Sequence, residues 1–263
     1  MNKPTLIMFA VIFSMGLSGN AIAMTKPNAM TMPNAERSVA LEQCSAHKLK
    51  AVYRIKKTFN GQTIDTSLTL LRDGNTVAHV YPDTQITESW FLNPRNNKVK
   101  PTRFFDEHQR AIEYQPEESF TQFDERNWSR RYQLVAQQTL DSLDVEKSEG
   151  ELCESRIHKK GVNGNLHLVW KNAVQLVESL SVTLPNGLKE EWTLESVSFD
   201  MDYIESEFAK RDTYFATDYA DVGDDHTDQF LTTMVNLGFV EGGASGFYNV
   251  QGEALEGQHG HSH

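Results

Sequence analysis

From Leu49 onward apolar and polar residues alternate with a period of two. Leu49, Ala51, Tyr53 and Ile55 interleave with Lys50, Val52, Arg54 and Lys56, the pattern of a half-buried β-strand. Asn60-Gly61 follows, a pair suited to the left-handed conformations of a two-residue hairpin turn. The return strand sets Ile64, Thr66, Leu68 and Leu70 on one face, with Thr63, Asp65, Ser67 and Thr69 on the other. Asp73-Gly74 turns the chain into a strand over 77–81. Ile86, Trp90 and Leu92 keep the alternation, interrupted by Glu88, and a turn at 93–97 leads to strands over 99–105 and 111–114. Residues 115–127 read as a polar loop; Trp128, Tyr132 and Leu134 are expected on a strand, with a helical turn near 139–143.

A second meander is expected beyond that point. Its strands run over 153–159, through Leu166, Leu168 and Trp170, through Leu176, Leu180, Val182 and Leu184, and, after a turn at Pro185-Asn186-Gly187, through Leu188, Trp192 and Leu194. After residue 199 the period becomes helical, with Met201, Ile204 and Phe208 in phase. Phe230, Leu231, Met234, Val235 and Leu237 form a second amphipathic run, with Asp225 or Thr227 to cap its start and Gly238 to end it. Consecutive strands joined by short turns favour a meander over a Greek-key sandwich. The expected fold class is α+β, mainly antiparallel β: a curved meander sheet or unclosed half-barrel, with C-terminal helices packed on its concave face.

The first 23 residues have the form of an export signal: Lys3, a short apolar run over 6–15, and Ala21-Ile22-Ala23 as a small-x-small cleavage site. The run falls short of the ~20 apolar residues that a membrane-spanning helix needs. Cleavage after Ala23 and a periplasmic destination are expected. Residues 24–34 read as a flexible lead-in, and Asn34 is placed to cap a short helix through about residue 48. Residues 35–251 form one β-rich domain whose C-terminal third is helical over about 200–238, and 252–263 is a polar tail. Cys44 and Cys153 are the only cysteines, and both lie in the exported part. An even pair in an oxidising compartment suggests a disulfide; two buried thiols and a soft-metal pair are the alternatives.

Charge narrows the partners. With 25 basic and 36 acidic side chains the chain carries a net −11, a poor match for nucleic acid or anionic membranes. Between Glu195 and Asp228 eleven acids face two bases, so a basic partner suits that region. Of these, Asp218, Asp221, Asp224, Asp225 and Asp228 miss the EF-hand spacing and suit helix capping better than calcium. His259, His261 and His263 stand at every second position, so an extended backbone points them to one side, where Cu or Zn suits imidazole. Met24, Met30 and Met32 add soft ligands at the other end. Catalytic patterns are incomplete: Gly243 to Gly246 lacks the second half of a nucleophile elbow, and Asp106-Glu107-His108 lacks the second His of a zinc-protease helix.

The signal end at Ala21-Ile22-Ala23, the LKAVYRIKKTFNGQ hairpin, the DGNTVAHVYP turn and strand, and WFLNPRNNKVKPTRFFDEHQRAIEY together resemble, as an order of elements over about 35–200, the periplasmic lipoprotein-carrier and lipoprotein-sorting (LolA-like) proteins. The acidic C-terminal region and the His tail depart from that family. The resemblance implies an unclosed barrel whose apolar concavity takes an acyl chain or an apolar peptide. Trp90, Phe105, Trp170 and Trp192 are then the candidate wall residues, or else ordinary core. The leading expectation is a non-catalytic periplasmic binding or carrier protein for an apolar ligand or an envelope partner. The alternative is a copper- or zinc-binding protein that uses the His tail.

Overall fold

The computed structural model describes residues 44–115, 125–222 and 227–236. The export segment, the lead-in, the helix after Asn34 up to residue 43, and the tail lie outside the described residues.

One twelve-stranded open sheet organises the chain. β1 (Lys48–Phe59) buries Leu49, Ala51, Tyr53 and Ile55 on one face while Lys50, Arg54 and Lys56 alternate to the other. Asn60 and Gly61 both hold positive φ, 49° and 79°, which matches the turn to the twist of the flanking strands. β2 (Gln62–Asp73) pairs in full register with β1. β3 (Thr76–Tyr81), β4 (Ile86–Leu92), β5 (Val99–Phe105) and β6 (Arg110–Glu113) continue the antiparallel meander outward.

The chain then crosses back over the sheet through two helices, α1 (Glu125–Gln133) and α2 (Gln137–Ser142). β7 (Asp144–Glu149) forms the far edge, and β8 (Arg156–Lys160), β9 (Leu166–Lys171), β10 (Leu176–Thr183) and β11 (Lys189–Ser198) walk inward. β11 closes the centre by pairing antiparallel with β1. The fold is thus an open, mostly antiparallel sheet, as the alternation predicts.

α3 (Met201–Asp212) follows, capped by the Asp200 side chain on the Tyr203 N–H at 3.0 Å. β12 (Phe215–Asp218) then adds to β6 in parallel, and α4 (Gln229–Asn236) ends the described chain. The helices divide between the two faces. Leu140 and Leu143 join the core under α1 and α2 on the face carrying the Trp and Leu row, and Leu231 and Met234 of α4 meet Phe105 and Ile112 on the same face. α3 lies on the opposite face: Lys48 donates to Glu205 at 2.5 Å, and the Lys50 ammonium sits 4.2 Å from the Tyr203 ring. That corrects the expectation of all C-terminal helices on one face. Leu71 and Ala78 point away from the Trp row and are buried, which makes that face apolar enough to need a cover.

Four local expectations change. Trp128 and Tyr132 lie on α1, not on a strand; four residues apart, they suit either period, and their rings meet at 5.8 Å on one helix face. The segment expected as a strand from residue 153 opens as a 3-10 turn over Leu152–Glu154, with Leu152 at φ 51°, so β8 starts only at Arg156. β7 and β12 carry no apolar alternation and escape a pattern search. Asp228 caps α4, accepting from the N–H groups of Phe230 at 2.8 Å and Leu231 at 3.2 Å, while Asp225, one of the expected caps, lies outside the described residues.

Candidate functional site

Cys44 and Cys153 form the expected disulfide, with Cα atoms 5.8 Å apart and 109 residues between them. It ties the start of β1 to the strand pair at the far edge. Loop closure of that length stabilises the fold by about 4–5 kcal/mol on the chain-entropy model.

All four candidate wall residues point to the same face, yet they do not form one wall. Trp90 and Trp170, 8% and 6% exposed, belong to the main core, and Phe105, at 3%, belongs to a separate cluster with Ile112, Leu231 and Met234. Trp192 is half-buried, edge-on to Tyr53 at 6.3 Å. Around it the apolar face runs out past the helices. Leu166, Leu180 and Val182 are half-buried, and Phe59 and Ile64 are 45% and 42% exposed. A Lys57–Glu190 pair at 3.4 Å crosses this open end.

Buried polar groups lock the covered part of the face. Arg72 shares its face with Leu68 and Leu70 and is fully buried. Its guanidinium donates to four carbonyls, those of Tyr132 at 2.7 Å, Ala46 at 3.0 Å, Val174 at 2.8 Å and Gln175 at 2.7 Å, and stacks 4.0 Å over the Tyr132 ring. Burial lowers its pKa to about 10. His79 is buried against Trp90, ring centroids 4.8 Å apart, and its Nε2 lies 2.7 Å from the Arg131 carbonyl. Burial lowers its pKa to about 3, so the ring is neutral and Nε2–H donates. Glu88, which interrupts the alternation of β4, finds Arg103 at 2.6 Å on the next strand. On the opposite face, beside α3, Asp106 is an acceptor hub, taking bonds from Thr87 at 2.6 Å, Tyr214 at 3.1 Å and Arg211 at 3.3 Å.

Beside the disulfide, at the opposite end of β11 from Trp192, lies a cleft of about 300 Å³. Cys44, Cys153, Val174, Leu194, Val197 and Phe199 supply its apolar lining, and Glu154, Lys171, Glu178, Glu195 and Ser196 its polar lining. A bulge makes this wall: Tyr53 pairs with Leu194 and Val52 with Ser196, leaving Glu195 as the extra residue. Lys171 donates to Glu154 at 3.2 Å, the main cause of that carboxyl's lowered pKa.

The acidic stretch from Glu195 is largely engaged within the chain. Asp200, Asp218 and Asp228 cap backbone N–H groups, Glu205 pairs with Lys48, and Glu207 with Arg211 at 3.0 Å. His259, His261, His263, the N-terminal Met residues and Gly243 to Gly246 lie outside the described residues. Among the described residues no group of three His, Cys, Asp or Glu is placed to hold a metal ion, and no helix is long and apolar enough to cross a membrane. Pattern reading misses Arg72 and Lys171; His79, on an expected strand, reads from the sequence as either surface or core, and it is buried. The available signal is a charged or titratable residue standing in phase with a buried apolar row.

The fold is an open, mostly antiparallel twelve-stranded sheet, and its likeness to solved structures is weak and confined to the fold. No family model and no curated protein sequence matches the chain. Among solved structures it is similar to a putative outer-membrane lipoprotein-sorting protein domain from Vibrio parahaemolyticus, at 8% identity, TM-score 0.30, covering 70% of this chain and 100% of that one. It is similar to a LolA superfamily protein from Nitrosomonas europaea, at 10% identity, TM-score 0.24, covering 65% and 99%. A DUF1329 family protein from Desulfovibrio piger matches at 8% identity, TM-score 0.31, covering 63% and 91%.

Proposed function

We propose that this chain is a non-catalytic binding protein of the periplasm, taking an apolar ligand or partner segment on the open end of the Trp-row face. One observation carries the reading. The apolar face continues beyond its covering helices as Leu166, Leu180, Val182 and Trp192, with Phe59 and Ile64 exposed. Contiguous exposed apolar surface rimmed by polar residues marks an interaction site. Trp192, alone of the four aromatic residues, borders it; Trp90, Phe105 and Trp170 serve the cores. The export pattern ending at Ala23 and the disulfide, a bond that persists in oxidising compartments, support the periplasmic setting.

A chain-length series tests this reading. Octanoate, decanoate and dodecanoate, each below its micelle concentration, are titrated against tryptophan fluorescence. Affinity is expected to rise about fourfold per added methylene, the equivalent of about 0.8 kcal/mol. Ile64→Asp is expected to weaken dodecanoate roughly tenfold without loss of fold, since Ile64 is exposed. Affinity that is flat with chain length, or indifferent to Ile64→Asp, overturns the reading.

A further inference from the structure

Tyr53 stands at the centre of the sheet on the Trp-row face, with Leu68 opposite it on β2 and Leu194 on β11. It is fully buried, and its hydroxyl has no hydrogen-bond partner among the described residues. Arg72 and His79, buried on the same face, are by contrast matched to carbonyls. Burial raises the pKa of the phenol, so it stays protonated and offers an O–H donor. The charge of Arg72 opposes that rise, which sets a positive field at the oxygen. Phenylalanine would pack the same ring without the cost of an unpaired buried hydroxyl, so folding does not require the oxygen. The ring also lies beside the open apolar end. Trp192, which borders that end, is edge-on to it at 6.3 Å, and Trp192 and Leu194 are themselves only half-buried.

We propose that Tyr53 sets the specificity of the apolar site: its O–H donates to a carbonyl oxygen carried by an otherwise apolar ligand, which reaches it by turning Trp192 and Leu194 aside. The ring stays packed in the core, and the hydrogen bond forms only in the complex. A carbonyl suits the place because the hydroxyl has a free donor and the field of Arg72 favours a partly negative oxygen. A ligand of equal bulk without an acceptor leaves the hydroxyl unpaired and is discriminated against for that reason. The proposal rests on the binding-protein reading and deepens it, adding a polar anchor to a site otherwise held by apolar contact.

The test uses two probes of the same shape, 2-decanone and 2-methyl-1-decene, which carry C=O and C=CH2 at the same place. Each is titrated against tryptophan fluorescence with the full chain, disulfide intact, and with its Tyr53→Phe variant. Tyr53→Phe is expected to weaken 2-decanone roughly tenfold and to leave 2-methyl-1-decene within about twofold. Its melting temperature is expected to equal or exceed that of wild type, because the change removes an unpaired buried group. Equal effects on the two probes, or an unchanged affinity for 2-decanone, overturns the anchor and leaves the apolar site standing. A melting temperature more than about 4 °C below wild type shows that the hydroxyl serves the folded chain itself, through a bound water or another segment, and also overturns the anchor. Binding of neither probe to wild type overturns both readings.

Discussion

Arg72→Met probes how the two halves of the sheet are held to the crossing helices. Among the described residues no carboxylate pairs with the buried guanidinium; four carbonyls from three separate segments balance its charge. In the variant Ala46 keeps one donor, the Tyr132 hydroxyl at 2.9 Å, while Tyr132, Val174 and Gln175 lose the donor that Arg72 supplied. Each buried carbonyl left unpaired costs about 1–3 kcal/mol. Removing the cation returns part of that through its desolvation, so the net loss is about 3–5 kcal/mol. For a chain of this size each kcal/mol moves the melting temperature by about 2–4 °C, giving a drop of roughly 6–20 °C in a thermal melt. Arg72→Lys is expected to recover little, because an ammonium cannot reproduce the planar fork or its stacking on Tyr132. Hydrogen exchange supplies the local readout: amides of α1 and of residues 172–176 should lose protection together. A melting temperature within 2 °C of wild type, or loss of protection in α1 alone, refutes the clamp.

Two further outcomes follow from the same structure, and a third from the sequence of the tail. The pKa of His79 is about 3 in the fold against an ordinary 6.5, so the unfolded chain binds the extra proton; stability is full above pH 6.5 and falls toward the folded pKa. Urea unfolding should show a loss of about 2–3 kcal/mol between pH 7 and 4.5 that His79→Gln largely removes, and parallel pH profiles for the two proteins would defeat this assignment. Replacing Cys44 and Cys153 by Ser should cost about 4–5 kcal/mol in unfolding free energy, and an unchanged denaturation midpoint would show that the bridge adds nothing. For the His tail, calorimetry with Cu or Zn should show binding that disappears when 259–263 are deleted; equal uptake by the truncated chain rules the tail out as the metal site.

The alternation is most legible where one side of a strand is buried and the other open, as in β1; in β3 and β4 both sides are buried over part of their length. Leu49 to Ile55 against Lys50 to Lys56 is its clearest case. β7 shows no such contrast: as an edge strand with nearly every side chain exposed, it carries no apolar period. Trp128 and Tyr132 mislead because a spacing of four satisfies both a strand face and a helix face. The disulfide is legible from compartment and count, but the cleft it borders is not. That cleft depends on a one-residue bulge at Glu195 and on a turn that no local pattern announces. The wall expected from Trp90, Phe105, Trp170 and Trp192 divides because residues distant in sequence, such as Leu140 and Leu231, choose which stretch of the face to cover.

The seam between β1 and β11 sets an order of assembly. Lys50 meets Ser198 in the middle of the sheet, so the central hydrogen bonds wait for nearly the whole described chain to emerge. Each meander can grow outward from its own hairpins, but joining the two closes the longest loop of any described strand pairing. Oxidation of Cys44 with Cys153 shortens that search by bringing the start of β1 beside the outer pair of the second meander before the seam zips. Newly synthesised chains should therefore pass through a stage with two finished wings and an unmade spine.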